Sequence, residues 1–138
     1  MTVSGDVFCW GSDKLGQLGL GEGMRQMSNF QQTAPRALVA FKQKVIYEIA
    51  AGYGHGIART DINELWSWGL GTRGQLGLGR TSNAELPELA HLEEENQEIY
   101  SIACGLCHSA AIIGNGYLYT WGYVCCKLTH SGLTEQLG

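Results

Sequence analysis

One segment of this chain is written twice. The twelve residues from Trp10 read WGSDKLGQLGLG and the twelve from Trp68 read WGLGTRGQLGLG; eight positions match without a gap, 58 residues apart. A second element follows each copy, IAAGYGH at 49–55 and IACGLCH at 102–108, 53 residues apart. A third Trp-Gly pair, Trp121-Gly122, stands 53 residues after the second. A tandem unit of this size excludes most single-copy folds, because each unit buries its apolar face only against its neighbours. The first unit is longer: the run from Gly21 to Pro35 exceeds that from Gly79 to Pro87. The extra residues lie in the polar stretch 22–34, expected to be a loop.

Inside each unit the pattern is β. VIYEIA at 45–50 and EIYSIA at 98–103 are short, β-prone and end near glycine. The Gly-x-x-His element leads into GIAR at 56–59 and SAAII at 109–113. A turn follows. In the second copy it is Asn115-Gly116, the strongest two-residue hairpin signal. In the first it is Ile62-Asn63, where asparagine tolerates left-handed backbone. The outgoing segments ELWSW at 64–68 and YLYTW at 117–121 alternate large apolar with small or polar residues. The Gly-Gln-Leu-Gly-Leu-Gly element reads as turns around a fourth short strand. Four antiparallel strands repeated at this period make a propeller blade. Glycine, 20 of 138 residues, agrees: it disfavours helices by about 1 kcal/mol per residue and marks turns between short strands.

The run Trp-Gly, four variable positions, Gly-Gln-Leu-Gly-Leu-Gly, a proline, an apolar strand, Ala-x-Gly-x-x-His, a turn and the next Trp-Gly resembles the repeat of the regulator of chromosome condensation family. It occupies residues 10–121 almost without interruption. The signature positions are Trp10, Gly11, Gly16, Gly19, Gly52, His55, Trp68, Gly69, Gly74, Gly77, Gly105, His108, Trp121 and Gly122. The resemblance implies an all-β fold, with blades of a β-propeller built as four-stranded antiparallel sheets and incomplete relative to a seven-bladed ring. Residues 1–122 are then the repeat region, with units at 10–67 and 68–120 and residues 1–9 as the last strand of a preceding blade. Residues 123–138 are expected to be a divergent tail or a disrupted third repeat. The Gly-Gln-Leu-Gly due six residues after Trp121 is missing there, and a Gln-Leu-Gly stands only at 136–138. Seven units need roughly 370 residues. Two leave blade faces and sheet edges that favour self-association.

Composition removes other classes. No apolar run approaches the length of a membrane-spanning helix. MTVSGDVFC at 1–9 has no basic start and no long apolar core, so it is not read as a secretory signal. Five cysteines, two of them adjacent, fit reduced thiols in the cytosol or nucleus better than a disulfide framework. A formal charge of −4 argues against a nucleic-acid binder.

Several motifs suggest chemistry and lose to the repeat. Cys104 to His108 spells the C-x-x-C-H of haem attachment. Gly105 and His108, however, recur as Gly52 and His55. Cys104, Cys107, Cys125 and Cys126, with His130, offer zinc ligands, yet adjacent cysteines make a poor second knuckle. The G-x-G-x-x-G at 69–74 runs into further glycines instead of opening a helix. His55 and His108 recur at one repeat position, so they are read as structural groups bonding backbone near a blade edge. Trp10, Trp68 and Trp121 are read as core or blade-contact residues.

No nucleophile–base pair, phosphate cradle or carboxylate pair survives, and no cofactor is expected. The chain is expected to be a non-catalytic protein-interaction module, a fragment or short isoform of a longer propeller protein acting as scaffold or regulator. Its contacts are expected on the equivalent loops carrying Asp13 and Lys14, and Thr72 and Arg73, and in the acidic stretch 85–98 with Glu93, Glu94 and Glu95. The family resemblance implies an alternative partner, a small GTPase undergoing nucleotide exchange. A further alternative is the N-terminal part of a multidomain ubiquitin ligase.

Overall fold

The computed structural model describes residues 1–91, 98–114 and 116–123, which hold nine strands, one short α-helix and a 3-10 turn at Val39–Phe41. The strands are β1 (Phe8–Ser12), β2 (Gln31–Ala37), β3 (Ile46–Ala51), β4 (His55–Thr60), β5 (Leu65–Gly69), β6 (Ala84–Ala90), β7 (Ile99–Cys104), β8 (His108–Ile113) and β9 (Tyr117–Gly122). They form three antiparallel sheets, β1-β2, β3-β4-β5-β6 and β7-β8-β9, which follow one another in chain order. The fold is all-β and consists of propeller blades short of a closed ring. Among the described residues no helix is long and apolar enough to cross a membrane.

The period of 53 survives into the register. Ile57 stands opposite Ser67 in the middle sheet, and Ala110 opposite Thr120 in the last. Because alternate residues of a strand face opposite ways, β4 serves two cores at once. Ala58 joins Val7, Leu38, Phe41, Ile46 and Trp68 on the side of the first sheet. Ile57 joins Leu65, Ala90, Ile99, Ile102, Ala111 and Ile113 on the side of the last. A strand buried on both faces loses its polar alternation, and five of the six residues of β4 are buried.

Polar side chains lock the same interfaces. Asn63 adopts the expected left-handed backbone, with φ 69°, and its side-chain oxygen accepts the Ile99 N–H at 2.6 Å. The Glu48 carboxylate pairs with Arg59 at 3.3 Å and accepts the Ser101 hydroxyl at 3.0 Å and the Ile102 N–H at 3.3 Å. Thus β3 is tied to β7 by a charged acceptor as well as by apolar burial.

Four expectations change. The Gly-Gln-Leu-Gly-Leu-Gly element holds no strand, because the chain turns at Gly16 and Gly19 with φ 76° and 68° and makes the 3.0 Å bond Gly19 N–H to Gly16 O. The fourth strand is the proline-bearing segment instead, β2 or β6. Secondly, β1 is not the last strand of its sheet: β2 pairs outside it, with Phe8 opposite Ala37. The middle and last sheets start at the Ile-Ala-x-Gly strand, and the units counted from Trp-Gly run out of phase with the sheets. Thirdly, the extra residues of the first copy are not all loop, for α1 (Glu22–Met27) and the start of β2 fall inside them. Finally, Glu85 and Glu88 belong to β6, not to an acidic loop. Glu93, Glu94 and Glu95 lie outside the described residues, as does the tail from residue 124.

Candidate functional site

The signature residues build a latch from sheet to sheet. In each Gly-Gln-Leu-Gly loop the glutamine side chain folds back on the loop. Gln17 Oε1 accepts the Leu15 N–H and Gln75 Oε1 accepts the Arg73 N–H, both at 2.8 Å. The same residue's carbonyl then receives an indole from the following unit. Trp68 Nε1–H donates to Gln17 O and Trp121 Nε1–H to Gln75 O, both at 2.9 Å. Trp68 is buried against Phe41, with ring centroids 5.7 Å apart in an edge arrangement. Trp10 has the same motif position but no earlier Gln-Leu-Gly loop in this sequence, and it is 58 % exposed.

The repeated histidine closes the latch on the inner strands. Gly52 N–H bonds His55 O and Gly105 N–H bonds His108 O, each at 2.8 Å, which fixes the two turns. The imidazole of His55 covers the Gly52 Cα, where any Cβ would meet the ring. Its ring also meets a side chain of the next sheet, Ser109. The Ser109 hydroxyl donates to Gln75 O at 2.7 Å, so His55 Nε2 carries the hydrogen and donates to Ser109 Oγ at 3.0 Å. Nδ1 is left buried without a partner. Burial holds the His55 pKa below its usual 6.5, with the neighbouring His108 adding to the effect and hydrogen bonding opposing it.

That shift predicts a pH dependence. The unfolded chain takes up the proton first, so the stability due to neutral His55 is complete above about pH 6.5 and falls as the pH drops below it. Urea midpoints measured between about pH 7.5 and 5.5 are expected to decline, with a shallower slope in His55→Gln. Equal slopes would show that another group governs the window.

The antiparallel order puts loops 12–15, 52–55, 70–73 and 105–108, with Tyr123, at one end of the sheets, and the β4–β5 and β8–β9 turns at the other. Backbone contacts bind this end together: Leu70 N–H reaches Gly54 O at 2.7 Å and Tyr123 N–H reaches Cys107 O at 2.8 Å. Several side chains at positions that vary between the units point outward. Lys14, Thr72 and Arg73 are exposed, as are Tyr53 (68 %), Leu106 (53 %) and Tyr123 (49 %). Arg73 lies 4.9 Å from the Tyr123 ring centroid. Tyr53 and Leu106 were not singled out in the sequence, although their place between the glycine and the histidine of each Gly-x-x-His marks them.

Asp13 is not part of that surface. It is 1 % exposed, and its carboxylate accepts the Leu18 N–H at 2.9 Å. Burial raises its pKa, while the hydrogen bond and Arg25 oppose the rise. Asp13→Ala is expected to cost about 1–3 kcal/mol by leaving the Leu18 N–H unpaired. Asp13→Asn keeps the acceptor without a buried charge and is expected to be neutral or slightly stabilising near pH 7, as read from urea midpoints.

The remaining candidates do not assemble. Cys9, Cys104 and Cys107 are free thiols. Burial pushes Cys9 and Cys104 up to about 11, far from the thiolate that binds metal or attacks carbon. Cys125, Cys126 and His130 lie outside the described residues. Among the described residues no three His, Cys, Asp or Glu side chains gather as for a metal ion. A cleft of about 490 Å³ lies between the last two sheets, walled by Leu65, Ala90, Arg80, Tyr119 and Trp121.

Comparison with known proteins gives one consistent answer. The profile described as the regulator of chromosome condensation (RCC1) repeat matches residues 4–59 and 63–112. A second profile of the same description matches 46–75. The human probable E3 ubiquitin-protein ligase HERC4 is 34 % identical over 122 residues, 88 % of this chain and 11 % of that protein. The ultraviolet-B receptor UVR8 of Arabidopsis thaliana is 33 % identical over 138 residues, 99 % of this chain and 30 % of that protein. The crystal structure of Prp20p from Saccharomyces cerevisiae, described with its binding to Gsp1p and histones, superposes with a TM-score of 0.77 at 27 % identity. That match covers 93 % of this chain and 31 % of Prp20p. The chain thus spans less than a third of the length of each of these three relatives.

Proposed function

We propose that this chain, which belongs to the regulator of chromosome condensation repeat family, is a non-catalytic protein-interaction module that engages its partner through the loop end carrying Lys14, Tyr53, Thr72, Arg73, Leu106 and Tyr123. One observation carries the reading: at this end the recurring residues are spent on holding backbone, and varying ones such as Lys14, Tyr53, Arg73 and Leu106 are offered to solvent. A rigid scaffold presenting variable side chains is built for recognition. In a longer protein the module acts as a scaffold or regulator, the setting in which relatives such as HERC4 carry similar repeats. A cytosolic or nuclear site accompanies the proposal, supported by the free thiols.

Proximity labelling in cells tests it, comparing the wild-type chain with Tyr53→Asp/Leu106→Asp. The expected result is a set of neighbours reduced at least about fivefold in the variant, as for loss of a central contact. An unchanged set, with the variant still folded, contradicts the proposal.

A second reading is support of nucleotide exchange on a small GTPase. It is favoured by the likeness to Prp20p, whose description names binding to Gsp1p. Acceleration of labelled-nucleotide release from a panel of small GTPases would establish it, and no acceleration by the purified chain would remove it.

A further inference from the structure

The chain carries a formal charge of −4, yet the short loops at one end of its sheets expose cations. Across 12–15, 52–55, 70–73 and 105–108, with Tyr123, the acidic and basic side chains are Asp13, Lys14 and Arg73. Asp13 is sealed inside on the Leu18 N–H. Lys14 and Arg73 face solvent. The ion pairs among the described residues use Arg25, Lys44, Arg59 and Arg80, and neither Lys14 nor Arg73. These short loops therefore show solvent two cations; of the carboxylates on neighbouring segments, Glu85 beside Gly16 is paired with Arg25, and Glu22 on α1 is exposed and accepts Gln26 Nε2–H.

Its other exposed groups are apolar or aromatic. Tyr53 and Leu106 occupy the same position in successive Gly-x-x-His turns, so this contact recurs from one sheet to the next. The stacking of Arg73 on Tyr123 holds the guanidinium in place, and a carboxylate can approach in the guanidinium plane. Such a surface pairs carboxylates with cations and apolar side chains with Tyr53 and Leu106.

We propose that this end docks an acidic segment of a partner protein that also carries apolar side chains, with its carboxylates on Lys14 and Arg73 and its apolar groups over Tyr53 and Leu106. The proposal rests on the protein-interaction reading and supplies the chemistry of the partner. A nucleic acid fits less well, because phosphate binding needs a basic stripe, whereas here the neighbours of the cations are apolar and the whole chain is acidic.

Fluorescence anisotropy with the full chain tests this. The probes are a labelled peptide alternating Glu with Leu and Trp, its Gln-for-Glu and Lys-for-Glu counterparts, and an oligothymidylate. The acidic peptide is expected to bind at least about tenfold more tightly than the other three. The preference should weaken with added salt and in Lys14→Glu/Arg73→Glu. It should persist in Lys42→Glu, which reverses an exposed charge at the opposite end. Equal binding of the three peptides, lost in Tyr53→Asp/Leu106→Asp, would overturn the acidic preference and leave the docking end standing. Peptide binding that ignores both double variants would overturn the docking end itself. Preference for the oligothymidylate would make the site a polyanion site and overturn a protein partner.

Discussion

Trp68→Ala is expected to lower the free energy of unfolding by about 3–5 kcal/mol, the range for removing a buried large aromatic side chain. Three contacts are lost together. The ring leaves a cavity beside Phe41, Ala58 and Ile46. The Gln17 carbonyl loses its indole donor. Gly19 and Gly56, which lie so close that a Cβ on either would strike the ring, lose the surface they pack on. The same substitution at Trp10, 58 % exposed, is expected to change stability by no more than about 0.5 kcal/mol. Urea unfolding of both variants checks the pair. Similar costs would mean that a repeat position, and not its neighbour's loop, determines the role of the tryptophan.

Gly69→Ala is the second large effect, expected at about 3 kcal/mol or more. Gly69 has φ 94°, and a Cβ there would lie 2.5 Å from Gly54 O, 2.9 Å from His55 Cα and 3.2 Å from Gln17 Cα. These are backbone atoms of two different loops, so relief requires moving the latch itself. Gly11 holds the same motif position with φ 103°, yet nothing lies within 4 Å of its Cβ direction. Gly11→Ala should therefore show the conformational cost alone, about 1–2 kcal/mol. The difference between the two variants measures the close approach of backbone at the sheet interface.

These pairs also explain what could be read from the sequence. Spacing revealed the repeat, the Trp-Gly and Gly-x-x-His positions and the left-handed Asn63, because each is a local backbone demand that recurs. The phase of the sheets was hidden. A repeat can be counted from any residue, and only the pairing of β5 with β6 shows where a sheet ends. The fourth strand was misplaced because AELPELA, with its proline and two glutamates, lacks the β-branched pattern of a strand, and its proline is buried at the sheet edge. At the candidate site, Lys14, Thr72 and Arg73 were legible as variable loop positions. Asp13 was not, since its burial depends on a hydrogen bond to Leu18 that follows from the loop's closure. Tyr53 and Leu106 carry no sequence signal of their own, because each sits inside a Gly-x-x-His turn whose glycine and histidine serve the scaffold.

Hydrogen exchange of the indole N–H groups in the full chain tests most directly whether the signature residues latch sheet to sheet. Slow exchange is expected for Trp68, bonded to Gln17 O and buried, and for Trp121, bonded to Gln75 O, with fast exchange for Trp10. Trp10 protected as well as Trp68, or Trp68 exchanging at the rate of a free indole, would contradict the latch.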